Sequence, residues 1–291
     1  MRRRAAALAS AIMLALAGCS DLPEGVDGDL TGSWPTMAAA KQFRPAAAVC
    51  GPEVLETATE EADEPIDCAG KHLTETIAVA DLATAARIAT PDAARDEAFT
   101  ECSKRATAFL GGDWRTGWLL LQPVMPGAGA WTGGARWTRC DLVETDPVDG
   151  AVAARTGSMK LGLKGASALR MACANPTVKN DRVTEMHPVA CAKAHTAEFA
   201  GLYVSKRATS AEMTVKEVEK GCDAAIARFA DIPDDSNINY RVGWLSFPPD
   251  DTAWKLGDHA VRCFLWNNGE KMTGSYRNAG TKKLKIHYVY R

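Results

Sequence analysis

Eight of the nine cysteines fall into two sets with nearly the same spacing, and no other feature restricts the fold so tightly. Cys50, Cys68, Cys102 and Cys140 are separated by 18, 34 and 38 residues; Cys173, Cys191, Cys222 and Cys263 by 18, 31 and 41. Both sets span 90 residues, and Cys50, Cys68 and Cys140 each reach their counterparts by a shift of 123. This spacing implies an internal duplication. The length of 291 residues gives the same domain count, at roughly 150 residues per domain.

The ninth cysteine, Cys19, has no counterpart. It follows Arg2, Arg3 and Arg4 and a short apolar stretch from Ala5 to Ala17, too short to cross a hydrocarbon layer that needs about 20 helical residues. A signal peptide over residues 1–18 fits better. Leu16-Ala17-Gly18-Cys19 resembles a bacterial lipobox, which implies that Cys19 is lipidated and begins the mature chain. The expected address is the outer face of the cell membrane, with the chain lipid-anchored and extracytoplasmic. The remaining eight cysteines then suit a disulfide framework. Residues 19–45, with Gly, Pro, Asp and Ala and little periodicity, read as a flexible tether. The two domains are expected at 46–164 and 165–291.

The 34 basic and 36 acidic side chains nearly cancel and form no basic stripe, which argues against a nucleic-acid binder. Other echoes support the duplication. Cys68-Ala-Gly-Lys-His72-Leu-Thr-Glu75 is matched by Cys191-Ala-Lys-Ala-His195-Thr-Ala-Glu198, and each is followed by an apolar run suited to a strand. Phe99, Cys102, Ala106 and Phe109 lie on one helical face, as do Val215, Val218, Cys222, Ile226 and Phe229. Thr90-Pro91-Asp92 and Gly111-Gly112 frame the first helix, and Thr214 with Glu217 offers a capping box for the second. Gly117-Trp118 then echoes Gly243-Trp244, in strands closed by Pro123 and Pro248. Thr156-Gly157-Ser158 echoes Thr273-Gly274-Ser275. The predicted class is α+β: two tandem, duplicated small domains, each a short antiparallel sheet with one packed helix and two disulfides. Four cysteines allow three pairings per domain; we favour first with second and third with fourth.

The order Cys-x₃-His-x₂-Glu, a cysteine-bearing helix, Trp…Gly…Arg…Cys and then Thr-Gly-Ser resembles the septum-formation domain of actinobacterial envelope proteins. Two copies would cover about 46–162 and 169–280. Members often carry Pro before the His, where this chain has Lys71 and Ala194. The resemblance implies a role in septum or cell-wall biology and supplies no catalytic residues.

His72 with Glu75 and His195 with Glu198 form the leading candidate pairs for proton exchange or metal binding. On a strand, residues three apart point to opposite faces, which favours a structural reading: His caps a turn and Glu pairs with a basic side chain. Zinc is disfavoured because Cys102 and Cys140 stand alone and an exported chain oxidises its thiols. No metal or cofactor is expected. Neither Gly-x-Ser-x-Gly nor His-Glu-x-x-His occurs, and the glycines around Trp131 lack the Lys-Ser/Thr of a phosphate loop. Trp131 and Trp254 stand beside glycine and charge as candidate binding platforms. The predicted function is a binding or scaffold protein of the envelope, held to the membrane by its lipid and contacting a protein or wall partner. An envelope-polymer hydrolase and a ligand-capturing lipoprotein are the alternatives.

Overall fold

The computed structural model describes residues 42–84, 88–180, 182–267 and 270–287. The signal peptide, Cys19 and most of the tether lie outside them. The last tether residues, 42–45, are docked: Phe43 packs edge-on against Trp137 with ring centroids 6.2 Å apart, and Arg44 pairs with Asp81 at 2.6 Å.

The first half contains β1 (Val49–Gly51), β2 (Thr57–Ala58), β3 (Thr74–Asp81), α1 (Arg95–Leu110), β4 (Leu119–Pro126) and β5 (Trp137–Glu144). The second contains β6 (Cys173–Lys179), β7 (Arg182–Pro188), β8 (Ala197–Val204), α2 (Val215–Ala230), β9 (Gly243–Phe247) and β10 (Ala260–Trp266). Each half folds as one sheet, in the orders β1-β3-β5-β4-β2 and β7-β6-β8-β10-β9. In both, the strand after the His and Glu segment pairs with the last strand, and the helix enters the chain between them. The correspondence extends to irregularities. The β3–β5 ladder slips at Ile77 and the β8–β10 ladder at Ala200, positions 123 apart like the cysteines.

Each helix packs against its sheet through the predicted stripe, since residues three and four apart share a face. α1 buries Phe99, Cys102 and Ala106 together with Leu110, which takes the place expected of Phe109, only partly buried; α2 buries Val218, Cys222, Ile226 and Phe229. Val215, expected on that stripe, is 75 % exposed, because the first turn of α2 begins before the helix reaches the sheet. Gly111 ends α1 at φ 72°, and Asp231 takes the same left-handed role for α2 at φ 55°. Thr214 caps α2 by accepting from the Glu217 N–H. The return bond of a capping box is absent, because the Glu217 carboxylate accepts from Tyr203, Ser205 and Arg207 instead.

Among the described residues four disulfides join Cys50 to Cys68, Cys102 to Cys140, Cys173 to Cys191 and Cys222 to Cys263. The first kind ties β1 or β6 to the loop before its neighbouring strand, β3 or β8; the second ties helix to sheet. Bridges closing loops of this length typically contribute about 2–4 kcal/mol each.

Two sequence expectations shift. β4 does not stop at Pro123 but runs to Pro126, with Pro123 opposite Cys140. On its outer side β4 meets just the two-residue β2, at Met125 and Pro126, so this edge accommodates a residue without an N–H. Trp118 and Trp244 are also not equivalent. Trp244 sits inside β9 opposite Leu265, the register place of Leu121 opposite Leu142. Trp118 precedes β4 and leaves its own half to stack on Phe264, at 6.4 Å between ring centroids.

That stacking is part of a joint between the halves, both of which lie in one compact unit beginning at Gln42. Arg115 donates to buried Asp258 at 3.2 Å, and Arg262 pairs with the other Asp258 oxygen at 2.7 Å. The Arg115 guanidinium also lies 4.8 Å over the Trp114 ring. Gly257, at φ +101°, lets the chain pass the Phe99 ring, which an added Cβ would meet at 2.8 Å. The joint is therefore aromatic and charged together, with the ion pair largely withdrawn from water.

Candidate functional site

In each half the Cys-His-Glu and Thr-Gly-Ser motifs meet. In the first half His72 and Arg155 exchange backbone hydrogen bonds at 2.9 Å, and the Gly157 N–H donates to the Cys68 carbonyl at 2.7 Å. In the second half His195 and Met272 exchange the same pair, at 3.0 and 2.7 Å, and Gly274 donates to the Cys191 carbonyl at 2.8 Å. The Thr-Gly-Ser segment thus lies against the loop that the first disulfide of each half holds. Cys50 stands opposite Glu75, and Cys173 opposite Glu198.

The carboxylates complete the junction. Glu75 accepts from the Ser158 hydroxyl and, at 2.6 Å, from the Met159 N–H. Glu198 accepts from the Ser275 hydroxyl and, at 2.7 Å, from the Tyr276 N–H. Both carboxylates are 4 % exposed. The expected partner, a basic side chain, is replaced by a hydroxyl and an amide, which satisfy buried oxygens without a second charge to desolvate.

The imidazoles sit deeper, at 1 % exposure for His72 and 0 % for His195. Nδ1 of His72 donates to the Gly70 carbonyl at 2.9 Å, and Nδ1 of His195 to the Lys193 carbonyl at 2.8 Å; a carbonyl only accepts, which fixes a hydrogen on each Nδ1. This is the turn-capping role expected of them. Nε2 of both rings is buried without a hydrogen-bond partner. The expectation that His and Glu face apart is corrected in the second half. Leu73 and Thr196 are both bends that interrupt the alternation, and in the second half a ring nitrogen of His195, a Glu198 oxygen and Cys173 Sγ lie within 4.8 Å of one another. In the first half Cys50, Cys68 and Glu75 form such a group. The cysteines in both are disulfide-bonded, and disulfide sulfur lacks the thiolate charge that holds a metal. As oxidised, this constellation is a latch.

The tryptophan platforms are buried as well. Trp131 lies in a one-turn helix, Ala128–Thr132, and donates to the Ile88 carbonyl at 3.2 Å; Trp254 lies in Asp251–Lys255 and donates to the Ala208 carbonyl at 3.2 Å. The Arg136 guanidinium lies 4.3 Å over Trp131, and His259 stacks 4.4 Å from Trp254. These rings anchor loops and offer no open face to a ligand. The glycines about Trp131 serve a helical turn, with Gly127 and Gly133 as its caps.

One charged cluster gave no sequence signal. Arg139 on β5 donates to Asp141 at 2.6 Å and to Asp63 at 2.6 Å, and the Thr76 hydroxyl donates to Asp141 at 2.7 Å. Burial pushes the Asp141 carboxyl up, against the lowering pull of Arg139 and Thr76. The cluster floors a cleft of about 230 Å³ rimmed by Glu53, Glu61 and Glu64. In the second half the register places of Thr76 and Asp141 are Phe199 and Phe264, whose rings pack 5.4 Å apart. The same sheet face is polar and open in one half, aromatic and filled in the other.

No helix of the described residues is long and apolar enough to cross a membrane. A family model described as "Septum formation" matches residues 47–263. No curated protein matches the chain, and no solved structure does.

Proposed function

The chain belongs to the septum-formation family, which ties it to cell division at the envelope, and from that premise we propose that it is a lipid-anchored extracytoplasmic scaffold. Cys19 would carry the lipid, the tether would set the reach, and the two stapled halves would contact a protein or wall partner. The four disulfides fit an oxidising compartment. The observation that carries the scaffold reading over a hydrolase is the burial of the candidate acid–base groups. His72, Glu75, His195 and Glu198 are all enclosed, and each Glu is engaged by a hydroxyl and an amide of its own latch. A general acid or base must reach the proton it transfers, and these side chains face the protein's own backbone.

Imaging a fusion to a fluorophore that matures outside the membrane tests this reading. Enrichment at the division site, with release or mislocalisation of the Cys19→Ala chain, is the expected outcome. Uniform envelope distribution would overturn the septal part, and Cys19→Ala retained at the membrane would overturn the anchor.

A further inference from the structure

The two latches agree in their buried parts and differ at their mouths. Lys71, beside the latch histidine, is Ala194 in the second half, and Arg155, which pairs with His72, is replaced by Met272. At these two register places the first latch carries cations and the second does not; the second instead has Lys283, which donates to the Ser275 carbonyl at 3.4 Å. Lys71 and Arg155 open onto a groove of about 580 Å³, lined also by Glu144, Thr156, Ser158 and Ser167. Glu144 is neutralised by Arg155 at 2.8 Å, which leaves the lining one positive charge in excess.

The donors that remain free indicate what the groove takes. Arg155 gives Nε to the Gly157 carbonyl at 2.9 Å and Nη1 to Glu144, so the planar fork that recognises a carboxylate is occupied. Ser158 is spent on Glu75 and on the Lys160 N–H. Exposed Lys71 has no ion pair, and exposed Thr156 no side-chain hydrogen bond, among the described residues. A mobile ammonium with a free hydroxyl, approaching from different elements, matches the tetrahedrally disposed oxygens of a phosphate better than a flat carboxylate.

We propose that this groove, between Lys71 and the Arg155–Ser158 segment, is a phosphate-binding site built on the first latch. The site is independent of the septal reading. A bound phosphate would bridge the loop held by the Cys50–Cys68 disulfide to the segment that closes the half.

Calorimetric titration of the full chain at low salt, with inorganic phosphate, with glycerophosphoglycerol as a soluble phosphodiester, and with acetate, tests the site. Saturable binding of either phosphate, weakened about tenfold or more by Lys71→Glu, is expected from loss of a charge-assisted contact; Thr156→Ala should weaken it less. Tighter binding of the diester would identify a phosphate embedded in a polymer or lipid headgroup, and tighter binding of inorganic phosphate a free one. Acetate binding as well as phosphate, no saturable heat with either phosphate, or affinity unchanged in a folded Lys71→Glu chain would overturn the proposal. Lys71 is exposed, and an unchanged melting curve would establish that the variant folds.

Discussion

At the scale of the residue, burial decides which polar groups are structural. Glu75 and Glu198 each hold a hydroxyl and a backbone amide away from water, and truncating either strands both donors. Glu75→Ala and Glu198→Ala should each cost about 2–4 kcal/mol in urea unfolding, because an abandoned buried donor forfeits its full desolvation penalty. Asp223 on α2 gives a pH signature. Burial, then repulsion from Glu219 and Asp234, pushes its carboxyl from 3.8 up to about 6. The folded state then holds this proton more tightly than the unfolded state does, so the group's contribution falls as pH rises from about 4 to about 6. Asp223→Asn should therefore be more stable than the parent above that window and equal to it near pH 4, as read from unfolding midpoints across pH. Little of this was legible in the chain. The echoed His, Glu and Ser residues were visible as a repeat, but their mutual contact spans more than 75 residues. Nothing in a local spacing shows that Ser158 serves Glu75.

At the scale of the element, local chemistry and tertiary packing divide the outcome. The helices were readable because their period, caps and stops are local: Thr214 caps α2, and Gly111 closes α1. The strands were less so. Pro123 signals a strand end, yet an edge position removes the penalty that makes proline a breaker. The Gly-Trp echo suggested equivalent strands, while the ladders set Trp244 against Leu265 and send Trp118 elsewhere. One close approach lets the helix-on-sheet contact be probed. An added Cβ on Gly221 of α2 would meet the Tyr203 ring of β8 at 2.2 Å. Gly221→Ala should destabilise by about 1–3 kcal/mol despite the better helix propensity of alanine, as overpacking does. Thermal melts that show a gain instead would mean the ring moves aside freely.

At the scale of the molecule, two halves share a plan of one sheet, one long helix and two bridges, and differ in what fills it. The polar floor of Thr76, Asp141 and Arg139 in one half stands where the other has Phe199 and Phe264, and Phe264 receives Trp118 from across the joint. The joint also holds Arg115, Asp258 and Arg262 away from water, so its charges are strongly coupled. A double-mutant cycle between Arg115→Ala and Asp258→Ala should yield a coupling of about 0.5–3 kcal/mol. The native chain should melt in one calorimetric transition and Trp118→Ala in two, since each half retains its own sheet, helix and bridges. A single transition in the variant would show that other contacts suffice to couple the halves. The cysteine spacing foretold two sheets with two bridges each; the joint arises from residues that the two halves do not share, which matching one half to the other cannot find.

Each half is closed upon itself by the same two bridges, and nonreducing peptide mass spectrometry of the native chain probes this closure without intermediaries. Four linked pairs are expected, Cys50–Cys68, Cys102–Cys140, Cys173–Cys191 and Cys222–Cys263. A bridge joining a cysteine of the first set to one of the second would contradict it.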